Sequence, residues 1–322
     1  MRRMALFFAA MSLWSLLWCF QPSAAFAEEL RVLVVPKVES GHYWRQVREG
    51  ALEGGADRGV RVIFRGPMDH EDPQAQDGII RDGVVDRVDA LVIAPTHATK
   101  LAETVARARA AGIAVVIIDS PLQGDARDSL IATDNGVAGR TAADFLLSKV
   151  QPGRDPILLL RFKEGNESTV EREQGFAHRV VEKTGGKGLI VSDYIGVSEG
   201  SAYHRVLGLL RTHPKVRAVF APAEVVTLGC IQAIGELGLA GKIAVVGFDS
   251  TPEIREALRG GLLSAVMVQQ PYRMGYLGVS TACDILNGKS VPKRIVTEAR
   301  LVTDADDAAL GGEPCGSGGP RP

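Results

Sequence analysis

From Leu30 onward, runs of five to seven apolar residues alternate with longer stretches in which apolar positions recur every three or four residues. The short runs suit strands buried on both faces, and the longer stretches suit helices with one apolar side. Their alternation predicts an α/β protein with a mostly parallel sheet between helices. Strands are expected at 31–35, 60–64, 90–94, 114–119, 157–161, 189–193, 218–221, 243–248 and 263–268. In the helix expected at 100–111, Leu101, Val105 and Ala108 share one face with Lys and Arg opposite, and Gly112 supplies the stop. Asp72 and Pro73 open another helix as an N-cap and a residue suited to the first turn. Roughly four βα units lead to Leu130-Ile131-Ala132-Thr133-Asp134-Asn135, and a similar series follows. Two doubly wound parallel-sheet lobes of similar size are therefore expected, with a break near Thr133. The stretches 269–271 and 294–298 sit where the chain would cross back between lobes, which makes both domains discontinuous.

The amino terminus is set apart from this pattern. Arg2 and Arg3 precede an apolar run at 5–20, and Ala25-Phe26-Ala27 fits a small-x-small cleavage site, so 1–27 reads as a secretory signal. The run is shorter than the roughly 20 residues that span a bilayer. Lipidation of Cys19 is disfavoured, because bulky Trp18 stands where a small residue is expected. The remainder, about 295 residues, exceeds one ordinary core. Hydrophobic residues at 46% and charged residues at 23% describe a globular chain, and a net charge of −1 with basic and acidic residues interspersed offers no stripe for nucleic acid. After the signal only Cys230, Cys283 and Cys315 remain, an odd number without zinc spacing. The first two sit in helical patterns as small buried residues; Cys315 lies in a Gly- and Pro-rich stretch, and 306–322 is expected to be a flexible tail.

Several motifs point to chemistry and fall short of it. Gly196-Val197-Ser198-Glu199-Gly200 has the form of a nucleophile elbow, but no histidine follows His213, so Ser198 is better read as a helix N-cap. The first strand leads into Lys37-Val38-Glu39-Ser40-Gly41 rather than a dinucleotide fingerprint, and Gly241-Lys242 is followed by Ile243, not a hydroxyl. Asp69-His70-Glu71-Asp72 reads as a solvated loop rather than a metal cluster, and Asn166-Glu167-Ser168 is a glycosylation sequon by pattern alone. No metal, cofactor or catalytic group is expected.

The strand ends carry a different message. Asp119 closes one strand, Asp249 follows Val246-Gly247-Phe248 at another, and Gln269 follows Val266-Met267-Val268. Carboxyl ends of strands are where open α/β sheets bind ligands. Each carboxylate can accept two hydrogen bonds from neighbouring hydroxyls, Arg172 and Lys37 would donate to oxygens, and Gln269 can do both. Tyr43 and Trp44 start the first helix at the same end of the sheet, as core packing or as an apolar wall against the C–H face of a sugar ring. Together they describe a ring around a hydroxyl-rich small molecule.

In this order and spacing the chain resembles, over 30–304, the periplasmic sugar-binding proteins of the ribose-binding, type I kind. The resemblance is carried by Pro36-Lys37 with His42-Tyr43-Trp44 and Gly50-Ala51; Ile118-Asp119-Ser120; Ala132-Thr133-Asp134-Asn135 with Gly139; Glu164-Gly165-Asn166-Glu167-Ser168-Thr169 with Arg172, Gly175 and Phe176; Val246-Gly247-Phe248-Asp249; and Val268-Gln269-Gln270-Pro271 with Met274-Gly275. It implies a two-lobed periplasmic receptor, not an enzyme, with a three-segment hinge, that closes on a sugar or polyol and presents it to the membrane permease of an ABC transporter. A histidine kinase or chemoreceptor is the alternative partner. The family's aromatic pair falls on Tyr43 and Trp44, its first-lobe acid on Asp119, its arginine on Arg172, its Gly-Phe-Asp acid on Asp249 and its hinge glutamine on Gln269. Gly41 and Ala223 stand where ribose binders carry asparagines, and Ser120 where they carry arginine; Lys37 and Glu224 are expected to take over part of that polar work. On this footing 28–133 with 270–296 form the first lobe and 134–269 with 297–305 the second, in a monomer.

Overall fold

The computed structural model describes residues 29–68, 72–151, 153–186 and 190–309. The expected signal at 1–27, the 69–71 part of the acidic loop, Leu189 and Cys315 lie outside them. Strand β1 (Arg31–Val35) is followed by α1 (His42–Arg58), β2 (Arg61–Phe64), α2 (Pro73–Val85), β3 (Ala90–Ile93), α3 (Ala102–Ala110), β4 (Ala114–Ile118) and β5 (Ser129–Thr133). Next come α4 (Asn135–Leu147), β6 (Ile157–Arg161), α5 (Glu167–Thr184), β7 (Ile190–Tyr194), α6 (Glu199–Thr212), β8 (Ala218–Phe220) and α7 (Glu224–Glu236). The chain finishes with β9 (Ala244–Phe248), α8 (Pro252–Arg259), β10 (Ala265–Val268), α9 (Pro271–Leu286), β11 (Arg294–Thr297), β12 (Arg300–Val302) and α10 (Asp304–Ala309).

The strands form two sheets of six, ordered β11-β5-β4-β3-β1-β2 and β12-β10-β9-β8-β6-β7. Position for position these are the same sheet made twice. All pairings in the first are parallel, and in the second only β12 runs antiparallel, against β10. Successive side chains of a strand point to opposite faces, so each continuous apolar run feeds two cores. Val32 and Val34 of β1 pack with α1 and α9, while Leu33 and Val35 pack with α2 and α3. The second sheet is covered by α6, α7 and α8 on one face and by α4 and α5 on the other.

The chain passes between the sheets three times: from β5 to α4, from β10 to α9, and from β11 to β12. Each lobe thus receives one covering helix from the other lobe's strand. These borrowed helices lie very close to their neighbours, which explains two glycine pairs. A Cβ on Gly50 would sit 1.9 Å from the Tyr272 carbonyl oxygen and one on Gly275 2.0 Å from that of Val47; between α4 and α5, Gly139 meets the Arg172 carbonyl at 2.0 Å and Gly175 that of Gly136 at 2.3 Å.

Three strands extend the sequence reading. β5 continues the first sheet where only a break was expected, and β11 and β12 close the two sheets at one edge. Helix α10 runs on to Ala309, into the stretch expected as a tail from 306. The Asp306 carboxylate accepts bonds from the Thr303 N–H and hydroxyl, at 2.9 and 2.8 Å, and so fixes the first turn. Cys230 and Cys283 are free thiols buried in α7 and α9. No helix among the described residues is long and apolar enough to cross a membrane.

Candidate functional site

The carboxyl ends of the two sheets meet across a cavity of about 340 Å³. Of the residues expected at the site, Lys37, Tyr43, Trp44, Asp119, Arg172, Glu224, Asp249 and Gln269 all line it. Ser120 stands behind the wall. It is buried, its hydroxyl donating to Asp119 at 3.1 Å and accepting from Lys37 Nζ at 2.7 Å, so its part is to support those two groups.

The two acids hold corresponding places. Asp119 directly follows β4 and Asp249 follows β9, strands that occupy the same position in their sheets. Both adopt left-handed backbone, φ 63° and 68°, which costs a residue with a Cβ energy but is tolerated by aspartate better than by most. Each is held there by its own N–H, donated to the adjoining strand at Ile131 (2.9 Å) and Met267 (2.8 Å). The outcome is a carboxylate turned off each sheet into the gap.

Their surroundings differ. Burial raises the Asp119 pKa, but the Lys37 ammonium 2.6 Å away, aided by Arg172 and the Tyr43 hydroxyl, outweighs burial and holds the group below its usual value. Asp249 is raised. Burial is the main cause, Arg172 and the Gln269 amide at 2.7 Å oppose it, and the Asp119 charge adds to it. Glu224 opens α7 and reaches the first turn of α1, accepting the Tyr43 N–H at 3.3 Å. Burial, then the charge of Asp249, lifts it to about 7 against those backbone bonds.

Arg172 is built in on every side. Its Nε donates to Asn135, Nη1 to the Pro222 carbonyl and Nη2 to Gln269 Oε1, each at 2.8 Å, and the guanidinium lies 3.8 Å over the Phe248 ring. Gln269 Oε1 also accepts from Thr133 at 2.8 Å, and Thr133 lies 3.4 Å from the Thr297 hydroxyl. One residue from each of the three crossings is therefore joined to the site through Gln269. Tyr43 and Trp44 resolve both ways at once: each is buried in the first-lobe core and each borders the cavity, with their rings edge to face at 4.9 Å and the Tyr43 hydroxyl on Asp119 at 3.0 Å. Burial and the Asp119 charge raise the Tyr43 pKa well above its usual value, which keeps that hydroxyl a donor.

Sequence reasoning gave no role to Asn135, Asn166 or Ser168. All three are buried, Asn135 on Arg172 and the other two on Lys37. Ser168 precedes Arg172 by four positions, one helical turn, a spacing that marks it for the same face. Ser198 caps α6 in a reciprocal capping box with Ser201, as its sequence setting suggested, and among the described residues no histidine borders the cavity. Among the described residues no group of three or more His, Cys, Asp or Glu is placed to hold a metal ion.

The family model for the periplasmic binding protein domain matches residues 32–290. The chain belongs to the periplasmic binding protein family. Among solved structures it is similar to the periplasmic component of an ABC-type sugar transport system from Hahella chejuensis, at 38% identity and TM-score 0.81 over 85% of this chain and 99% of that one. A carbohydrate transporter solute-binding protein from Agrobacterium radiobacter, solved with D-arabinose, aligns at 31% identity and TM-score 0.84 over 88% and 98%. Among curated relatives, the ribose import binding protein of Bacillus subtilis (strain 168) is 29% identical over 89% of this chain and 91% of its own length. Both lobes are covered by each alignment, so the resemblance drawn from the sequence motifs holds for the fold as a whole. The family is one of binding proteins, and the nucleophile-elbow reading of Ser198 falls with it.

Proposed function

We propose that this chain is a periplasmic receptor that captures a sugar or sugar-like polyol between its lobes and delivers it to the permease of an ABC importer. The observation that carries the reading is the pair of inward-turned carboxylates, Asp119 and Asp249, one from each sheet, facing a cavity walled by Tyr43 and Trp44. Such a site offers paired acceptors for vicinal hydroxyls, Arg172 and the Gln269 amide as donors, and an aromatic surface for the C–H face of a ring. Glu224 adds an acceptor from the second lobe. Relatives solved with D-arabinose and D-fucose, and curated relatives named for ribose and D-allose, support the monosaccharide class.

In this reading 28–133 with 270–296 and 134–269 with 297–305 move as units about the three crossings, and the ligand favours closure because only then do both acids reach it. A full reversal from mostly open to mostly closed needs about 5.5 kcal/mol of differential binding. Residues 1–27 act as the export signal and the mature chain works as a monomer without a cofactor. A thermal-shift screen of pentoses, hexoses and cyclitols on the mature protein tests the proposal, since a ligand bound only by the folded state raises the melting temperature. A sugar-selective rise is expected, and no response across the panel would refute it.

A further inference from the structure

The sequence points to Lys37 as a donor to the ligand, and its geometry assigns it other work. Its ammonium is buried, 2.6 Å from Asp119 Oδ2 and 2.7 Å from Ser120 Oγ in its own lobe, and 3.1 Å from Asn166 Oδ1 and 3.2 Å from Ser168 Oγ at the start of α5 in the other. Three N–H bonds face four protein acceptors, so no proton is left over for a sugar. The contact does not stand alone. The Ser168 N–H donates to Ser120 Oγ at 3.4 Å, and the Ala98 N–H donates to the Gly165 carbonyl at 3.3 Å. Loops following β1, β3 and β4 are thereby joined to the approach and first turn of α5 by bonds that include no ligand atom.

We propose that Lys37 is a positioning residue: it clasps the lobes together in the absence of ligand while orienting the Asp119 carboxylate toward the cavity. The inference rests on the cleft being the binding site, but its clasp is a property of the protein alone. Bonds made only in the closed form raise the population of that form before any sugar arrives. Apparent affinity scales with the fraction of protein already competent to bind, so the clasp strengthens capture without touching the ligand. The bonds from Lys37 to Asn166 and Ser168 are charge-assisted and sheltered from water, which makes them the strongest part of the seam.

The test measures lobe separation with no sugar present. Spin labels on Ala75→Cys in α2 and Ser192→Cys in β7, both exposed positions, in a Cys315→Ser background, report the distance distribution by pulsed electron resonance. The unsubstituted clasp is expected to show a closed population, and both Lys37→Met and the double variant Asn166→Ala with Ser168→Ala are expected to reduce it about tenfold. The double variant keeps the Lys37–Asp119 pair, so it decides the matter alone if Lys37→Met fails to fold. A parent protein without a closed population, or a folded double variant that keeps the parent's distribution, overturns the proposal. Because no sugar is added, a failed sugar screen leaves this result standing, and failure of the clasp leaves the sugar reading standing.

Discussion

Replacing Glu224 with glutamine isolates one strongly raised titration at the cleft. The carboxyl is held at about 7 instead of 4.5, chiefly by burial and then by Asp249, while the Tyr43 N–H it accepts resists the shift. A raised pKa means that the folded protein holds the proton more tightly than the unfolded chain. Stability from this group is therefore complete below about pH 4.5 and is lost as the pH rises through 7. At about 1.4 kcal/mol per pH unit, the loss is on the order of 3 kcal/mol, levelling off above about pH 8. The substituted amide keeps an oxygen for the α1 N–H but cannot ionise. Urea denaturation of both proteins from about pH 4 to about pH 9 at constant ionic strength gives the comparison. The parent should lose stability relative to Glu224→Gln across that window, and because Asp249 couples to Glu224 the difference belongs to the pair. Parallel profiles for the two proteins would refute the electrostatic reasoning.

The left-handed strand tips and the close helix crossing give two further outcomes. Asp249→Gly should be more stable than Asp249→Ala by about 1 kcal/mol, since only alanine carries a Cβ at φ 68°; equal urea midpoints would show that the tip is unstrained. Gly139→Ala places a methyl 2.0 Å from the Arg172 carbonyl oxygen, so it should cost about 1–3 kcal/mol through separation of α4 from α5 and weaken sugar binding by displacing Arg172. Unchanged stability together with unchanged affinity would contradict that coupling.

The central strands were legible because a parallel strand covered on both faces must be apolar at every position, as Val115-Val116-Ile117-Ile118 is. β5 was harder to see, since Ser129 and Thr133 bound a run of only three apolar residues. β11 and β12 are short edge strands beginning with exposed arginines, and nothing in Arg300-Leu301-Val302 separates a strand from a loop. At the site, Asp119, Asp249 and Gln269 could be found because a strand end fixes where a following side chain stands. The contacts of Lys37 could not, because its partners Asn166 and Ser168 lie 129 and 131 residues away, on an element whose approach depends on how the lobes meet. Ser120 sits one layer further back than its sequence position suggests for a similar reason: adjacency to Asp119 does not say which of two neighbours faces the gap.

Titration calorimetry of the mature protein with the sugar that most raises its melting temperature, carried out beside Asp249→Ala and followed by mass analysis of the recovered ligand, bears most directly on the reading of the cleft. One sugar per chain should bind and be recovered unaltered, and the variant should bind at least roughly tenfold more weakly. Equal affinity in the folded variant, or a ligand returned chemically changed, would contradict capture between the two acids.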